Sequence, residues 1–126
     1  MPKTIVATDQ APAAVGPYSQ AIAAGDLIFC SGQIPLDPAT GELVEGSIAD
    51  QTKRCMRNLA AVLEAAGSNL DAVVKVTVFL TDIGDYAEFN EAYAEFVGAE
   101  PPARAAFAVA ALPRGAGVEI ECIAQR

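Results

Sequence analysis

No histidine occurs among the 126 residues, and that absence excludes more than any other feature of the sequence. Without an imidazole there can be no Ser-His-Asp triad, no Cys-His pair, no His-bound zinc and no imidazole base. Tryptophan is missing too. Only three cysteines occur, Cys30, Cys55 and Cys122. Their odd number and the lack of a C-x-x-C spacing argue against a disulfide framework or a metal knuckle. Each falls in an apolar stretch and reads as a buried, inert thiol. Basic residues are few: eight Lys and Arg against sixteen Asp and Glu leave a net charge of −8. Bases scattered from Lys3 to Arg126 cannot line a phosphate backbone, so nucleic acid is not an expected partner. No apolar run approaches the ~18 residues of a membrane helix. The first residues, Met1-Pro2-Lys3-Thr4-Ile5-Val6, resemble neither a signal nor a transit peptide. The expectation is a soluble, cytoplasmic protein with no membrane partner.

What is present is an ordinary globular composition, 52% hydrophobic and 19% charged, which rules out disorder. The length suits one domain, residues 1–126, with a core of its own. The 26 alanines thin each core layer and favour close packing of backbones.

Residues 3–6 read as a short edge strand. Tyr18–Ala24 and Leu27–Gln33 read as two strands about the turn Gly25-Asp26. Residues 34–46 are rich in Pro and Gly, with a turn at Asp37-Pro38-Ala39-Thr40-Gly41. Ser47 then opens a helix, with Asp50 completing a capping box. Ile48, Thr52, Cys55, Met56, Leu59, Val62, Leu63 and Ala66 recur at helical spacing, and Gly67 closes the element. Val73–Thr81 reads as a strand with Val74, Val76, Val78 and Leu80 on one face. A second helix is expected from Asp82 or Asp85 to Val97, with a stripe of Tyr86, Phe89, Tyr93, Phe96 and Val97. Ala103–Leu112 and Val118–Gln125 read as two further strands. The order β-β-β-α-β-α-β-β predicts an α+β fold with two helices on one face of a mostly antiparallel six-stranded sheet. The other sheet face then needs cover, which a second copy of the chain would supply.

Arg104 follows Pro101-Pro102-Ala103 at the start of a small, apolar strand. Its guanidinium fork matches a carboxylate or phosphate, while the plainer reading is a structural ion pair or a surface arginine. Glu119 and Glu121 alternate with Val118, Ile120 and Cys122, so both carboxylates share a face. Like charges there raise each other's pKa, which suits acid–base work; a merely solvated face is the alternative. If the last two strands form a hairpin about residue 115, Arg104 and Glu119 lie roughly 23 Å apart. They would then be unrelated, or meet across a subunit interface. Ser31-Gly32-Gln33 offers a hydroxyl and an approachable backbone N–H at a strand end. Asn90 is a polar residue within an aromatic helix stripe.

The order and identity of several segments resemble the RidA/YjgF family of reactive-intermediate deaminases. They are Gly16-Pro17-Tyr18-Ser19-Gln20-Ala21, Ser31-Gly32-Gln33-Ile34, Asp37-Pro38 with Thr40-Gly41, and Val74-Lys75-Val76-Thr77-Val78. Toward the C-terminus, Pro102-Ala103-Arg104-Ala105-Ala106, Ala111-Leu112-Pro113 and Val118-Glu119-Ile120-Glu121 continue the resemblance over nearly the whole chain. It implies a chorismate-mutase-like fold and a homotrimer with clefts between subunits. The implied activity is hydrolysis of 2-imino acids and their enamine tautomers, such as 2-iminobutanoate and 2-iminopropanoate, to 2-keto acids and ammonia. No metal and no organic cofactor is implied. Arg104 would hold the substrate carboxylate, aided by the Gly32 N–H beside Ser31. Glu119 would handle the water and the protons, and Tyr18 and Asn90 would line the cleft. Many members carry cysteine two residues after the arginine; Ala106 stands there, so no thiol acts at that place. Other relatives are assigned ribonuclease, translation-inhibiting or chaperone roles. A binding or chaperone-like trimer is therefore the alternative, and the acidity disfavours RNA cleavage.

Overall fold

The helix beginning after Ser47 shows how local chemistry sets the frame. In the computed structural model, which describes residues 2–126, α1 spans Ile48–Ala65. The Ser47 hydroxyl accepts from the Asp50 N–H at 3.1 Å, and the Asp50 carboxylate accepts from the Ser47 N–H at 3.3 Å. Two of the first turn's free donors are thus satisfied by side chains. At the other end Gly67 adopts φ 83°. Ser68 N–H reaches back to Leu63 O and Gly67 N–H to Glu64 O, the paired bonds of a glycine-terminated helix.

Six strands form one sheet: β1 (Thr4–Val6), β2 (Ala21–Ala24), β3 (Leu27–Gln33), β4 (Val73–Leu80), β5 (Ala103–Ala108) and β6 (Val118–Gln125). A second helix, α2 (Tyr86–Ala94), follows β4 through a 3₁₀ turn at Ile83–Asp85. The spatial order is β1-β2-β3-β6-β4-β5. Every pairing is antiparallel except β4 with β5. The expected α+β class, element order and mostly antiparallel sheet are therefore observed. Leu59, Val62 and Leu63 of α1 and Phe89 of α2 are buried with Ile28, Val78, Ile120 and Cys122 of the sheet, forming one core.

Several boundaries differ from expectation. The strand foreseen from Tyr18 starts at Ala21, because the Pro17-containing segment makes a tight turn in which Tyr18 N–H bonds Gly16 O. A register shift between Val73 and Lys75 turns Val73 into the core and leaves Val74 40% exposed. Val74 is thus off the face shared by Val76, Val78 and Leu80. Regular helix α2 ends at Ala94, and the strand from Ala103 ends at Ala108. The last two strands do not form a hairpin. β5 runs parallel to β4 at the sheet edge, and β6 inserts between β3 and β4. With α2 as the crossover from β4, a parallel neighbour is the natural product.

The sheet face away from the helices carries a row of side chains fixed by register: Ile5, Ile22, Phe29 and Ile123. Ile5 is 65% and Phe29 43% exposed. Farther along, Phe79 and Phe107 meet edge to face at 5.3 Å. Antiparallel sheets ordinarily turn polar residues to an open face; here Lys75, Thr77, Glu119 and Glu121 share that face with the apolar row.

Candidate functional site

At the end of β3 the ladder with β6 slips. Cys30 opposes Cys122 and Gln33 opposes Ile120, leaving Ser31 and Gly32 without register partners on β6. Such a bulge re-aims the backbone. The Ser31 N–H bonds Gln20 O at 2.9 Å and its hydroxyl donates to Ser19 O at 2.6 Å, so the serine is fixed toward the segment before β2. Gly32 sits directly beneath the Glu119 carboxylate: any Cβ there would overlap Glu119 Oε2 and lie 2.9 Å from its carboxyl carbon. The glycine permits this close approach of the carboxylate and is not called for by its dihedral angles.

Over the bulge lies a cleft of about 570 Å³, lined by Pro12, Tyr18, Ser31, Gly32, Ile34, Arg114, Glu119 and Glu121, among others. Tyr18 is half-exposed, and its hydroxyl accepts from the Val15 N–H at 3.2 Å. One wall is held by Gln20, which is buried. Its amide nitrogen donates to Thr8 O and Pro12 O at 3.0 and 2.8 Å, and its oxygen accepts from the Thr8 N–H at 2.7 Å. Burial, and then the neighbouring Glu121 charge, raise the Glu119 pKa above the usual glutamate value. A carboxyl so placed exchanges protons closer to neutrality than a free one.

Arg104 lies elsewhere. It is the second residue of edge strand β5, registered with Val76, whose side chain faces the helices. The guanidinium stands over three rings of α2 and its extension: 5.0 Å from the Tyr93 centroid, 5.4 Å from Phe89 and 5.6 Å from Tyr86. Its Nη2 donates to the Tyr86 hydroxyl at 2.8 Å. A hydrogen bond from Asn90, then the Arg104 charge, lower the Tyr86 phenol below its ordinary value. Asn90 therefore belongs with Arg104 and Tyr86, one helical turn from the latter. Among the described residues the one ion pair is Lys53–Glu95 at 3.3 Å. Arg104 thus has cation–π partners and a phenol, but no carboxylate.

The six singled-out residues fall into two groups. Tyr18, Ser31, Gly32 and Glu119 share the cleft, while Arg104 and Asn90 sit at the β5 edge. Register replaces the hairpin separation: Arg104 lies level with Cys122, two strands away, and Glu119 three residues farther along β6. That puts their Cα atoms roughly 14 Å apart from the strand spacings, yet on opposite faces of the sheet. Within one copy they cannot hold the same small molecule. The sequence reading did not foresee Tyr86 and Gln20 in these places. Tyr86 was submerged in an apolar helical stripe; Gln20, lying in an apolar stretch, was the one available hint of a buried amide.

Residues 8–126 match the family model described as Endoribonuclease L-PSP. A RutC family protein of Pyrococcus horikoshii is 52% identical, covering 98% of this chain and 98% of its own. A Mus musculus protein named 2-iminobutanoate/2-iminopropanoate deaminase is 48% identical, over 97% of this chain and 90% of its own length. The crystal structure of RidA from the Antarctic bacterium Psychrobacter superposes with a TM-score of 0.94. It is 47% identical, and the match covers 98% of this chain and 99% of that one.

Proposed function

This chain belongs to the endoribonuclease L-PSP family, the YjgF/RidA family, and on that premise we propose that it hydrolyses reactive 2-imino acids and their enamine tautomers to 2-keto acids and ammonia in the cytoplasm. The carrying observation is Arg104. A guanidinium held against three rings and a phenol, with no carboxylate beside it among the described residues, is a receptor whose anion comes from a ligand. A 2-imino acid supplies that anion next to its reactive carbon. The mammalian relatives named as imino-acid deaminases support the same substrate class.

In this reading the copies assemble as a homotrimer through the apolar, helix-free sheet faces, and the β5 edge of one copy completes the bulge cleft of another. The opposite-face placement of Arg104 and Glu119 within one chain motivates that arrangement. The substrate carboxylate binds Arg104 of one copy and the Gly32 N–H of its neighbour, beside Ser31. Glu119 takes a proton from water as its oxygen attacks the iminium carbon, gives that proton to the nitrogen, and takes the new hydroxyl's proton as the C–N bond breaks, leaving the keto acid and ammonia. Tyr18 and Asn90 line the cleft. The protonated imine is electrophilic without a cofactor, so orientation and one proton carrier suffice.

The test is 2-keto acid release from imines made in situ by an amino-acid oxidase. Wild type is expected to accelerate release, and an Arg104→Ala variant of unchanged oligomeric state to lose that acceleration. Equal rates at the uncatalysed level for both would overturn the assignment and favour a non-catalytic binding module.

A further inference from the structure

The three thiols are buried, as expected, but two of them are not isolated. Cys30 and Cys122 are register partners across β3 and β6 on the helix-facing side of the sheet. The Ser31 N–H turns to β2 and the Arg126 N–H bonds Asp26 O. By the alternation along β3, the backbone groups of Cys30 therefore turn to β6, making this a hydrogen-bonded antiparallel pair. Such pairs hold their Cα atoms about 5.5 Å apart, at the separation commonest among disulfides. Cys55 has no such partner; its Sγ lies 3.8 Å from Val118 O.

The pair also has an approach route. A second cavity of about 520 Å³ lies between the C-terminal parts of the two helices and the start of β4. Its lining includes Met56, Leu59, Val73, Tyr93, Phe96 and the Cys122 residue itself. This cavity shares no lining residue with the bulge cleft.

We propose that Cys30 and Cys122 form an oxidisable dithiol that closes to an intrachain disulfide when a small peroxide enters this cavity. Past Cys122, the Cys30 sulfur attacks one peroxide oxygen. The O–O bond breaks and water leaves, giving a sulfenic acid. The Cys122 sulfur then attacks Cys30 and forms the S–S bond, and the hydroxide expelled takes the Cys122 proton to leave as a second water. Two thiols thus lose two electrons and two protons to one hydrogen peroxide. A hydrogen bond from Cys122 holds the Cys30 thiol below its usual range, while the same contact and burial push Cys122 up, so Cys30 is the sulfur that attacks the peroxide. The proposal is independent of the deaminase reading.

The sequence makes the test direct, because trypsin places each cysteine in its own peptide: residues 4–53, 55–57 and 115–126. Full-length protein is treated with hydrogen peroxide beside a glutathione control, then denatured, alkylated and digested. Free thiols should fall from three to one, with Cys55 still alkylated. Peptides 4–53 and 115–126 should appear joined, lighter by two hydrogens, at monomer mobility on a non-reducing gel, and separate on reduction. Cys30→Ala and Cys122→Ala should each abolish the joined species. Three alkylatable thiols after glutathione is fully oxidised would overturn the proposal. So would a sulfinate on either residue without joining, or a link found only between chains.

Discussion

Gly32→Ala separates the close approach at the bulge from a generic loss of packing. The new methyl would overlap Glu119 Oε2 and come within 2.9 Å of the carboxyl carbon and 3.2 Å of Cγ. Since carbon–carbon contacts are at ease near ~3.5 Å, the carboxylate must swing aside by on the order of 1 Å. Holding it off its preferred rotamer costs about 1 kcal/mol. Gly32 is not among the positive-φ glycines, so alanine fits the backbone and stiffens the unfolded chain, offsetting ~0.4–1 kcal/mol of that. The net change in unfolding free energy should be small, about 0–1 kcal/mol. The rate should respond much more. In the proposed reaction Glu119 carries the proton, and displacing it by that distance is worth about 10²-fold, or ~2.7 kcal/mol of barrier. Keto-acid release from imines generated in situ reads the rate, and urea unfolding reads the stability. In a Glu119→Ala background the clash is gone, so adding Gly32→Ala should stabilise the protein, with a coupling of about 1 kcal/mol between the sites. Full activity in Gly32→Ala, or equal destabilisation in both backgrounds, would refute the argument.

Tyr86→Phe removes the hydrogen bond to Arg104 but keeps the ring, so KM for the imino acid should rise about three- to tenfold, as befits ~1 kcal/mol of hydrogen bonding. Steady-state kinetics check this, with kcat expected near wild type. The raised Glu119 pKa means that the folded chain holds this proton more tightly than the unfolded one. Its contribution to stability must therefore fall as pH climbs from the ordinary glutamate value through the raised one. Glu119→Gln should remove that decline, and urea titrations across the interval would show a wild-type slope unchanged in the variant if the attribution is wrong. Phe29→Glu puts a charge in the exposed apolar row beside Ile22 and Ile123, and in the proposed assembly should shift sedimentation from trimer toward monomer at micromolar concentration.

What could be read from the residues divides by the range of the forces involved. Helix α1 was legible because its capping box, its 3.6-residue stripe and Gly67 are all local. The Glu119–Glu121 face followed from alternation alone, and it holds in the structure. Strand partners were not legible: whether β6 pairs with β5 or slips between β3 and β4 depends on residues roughly forty to a hundred positions apart. The bulges at Ser31-Gly32 and Val73-Lys75 escaped for the same reason, since a slip exists only relative to a neighbour. Asn58 was hidden within the α1 stripe. It is fully buried, donates to Leu36 O at 3.0 Å and accepts from Arg54 Nε at 3.1 Å, so its amide ties the loop after β3 to the helix. The position of Glu119 over Gly32 needed both bulge and pairing, and no spacing along the chain encodes it.

The place of β6 has a consequence for biosynthesis. The ribosome makes this strand after all five others, yet it is the one that joins β3 to β4. Until it emerges, β1–β3 and β4–β5 are two separate ribbons with α1 lying against an unfinished surface. The nascent chain therefore cannot settle segment by segment. Its apolar strand edges wait, exposed to other chains or to holdases, for β6 to emerge. Closure then comes as a single late event whose speed is limited by long-range pairing.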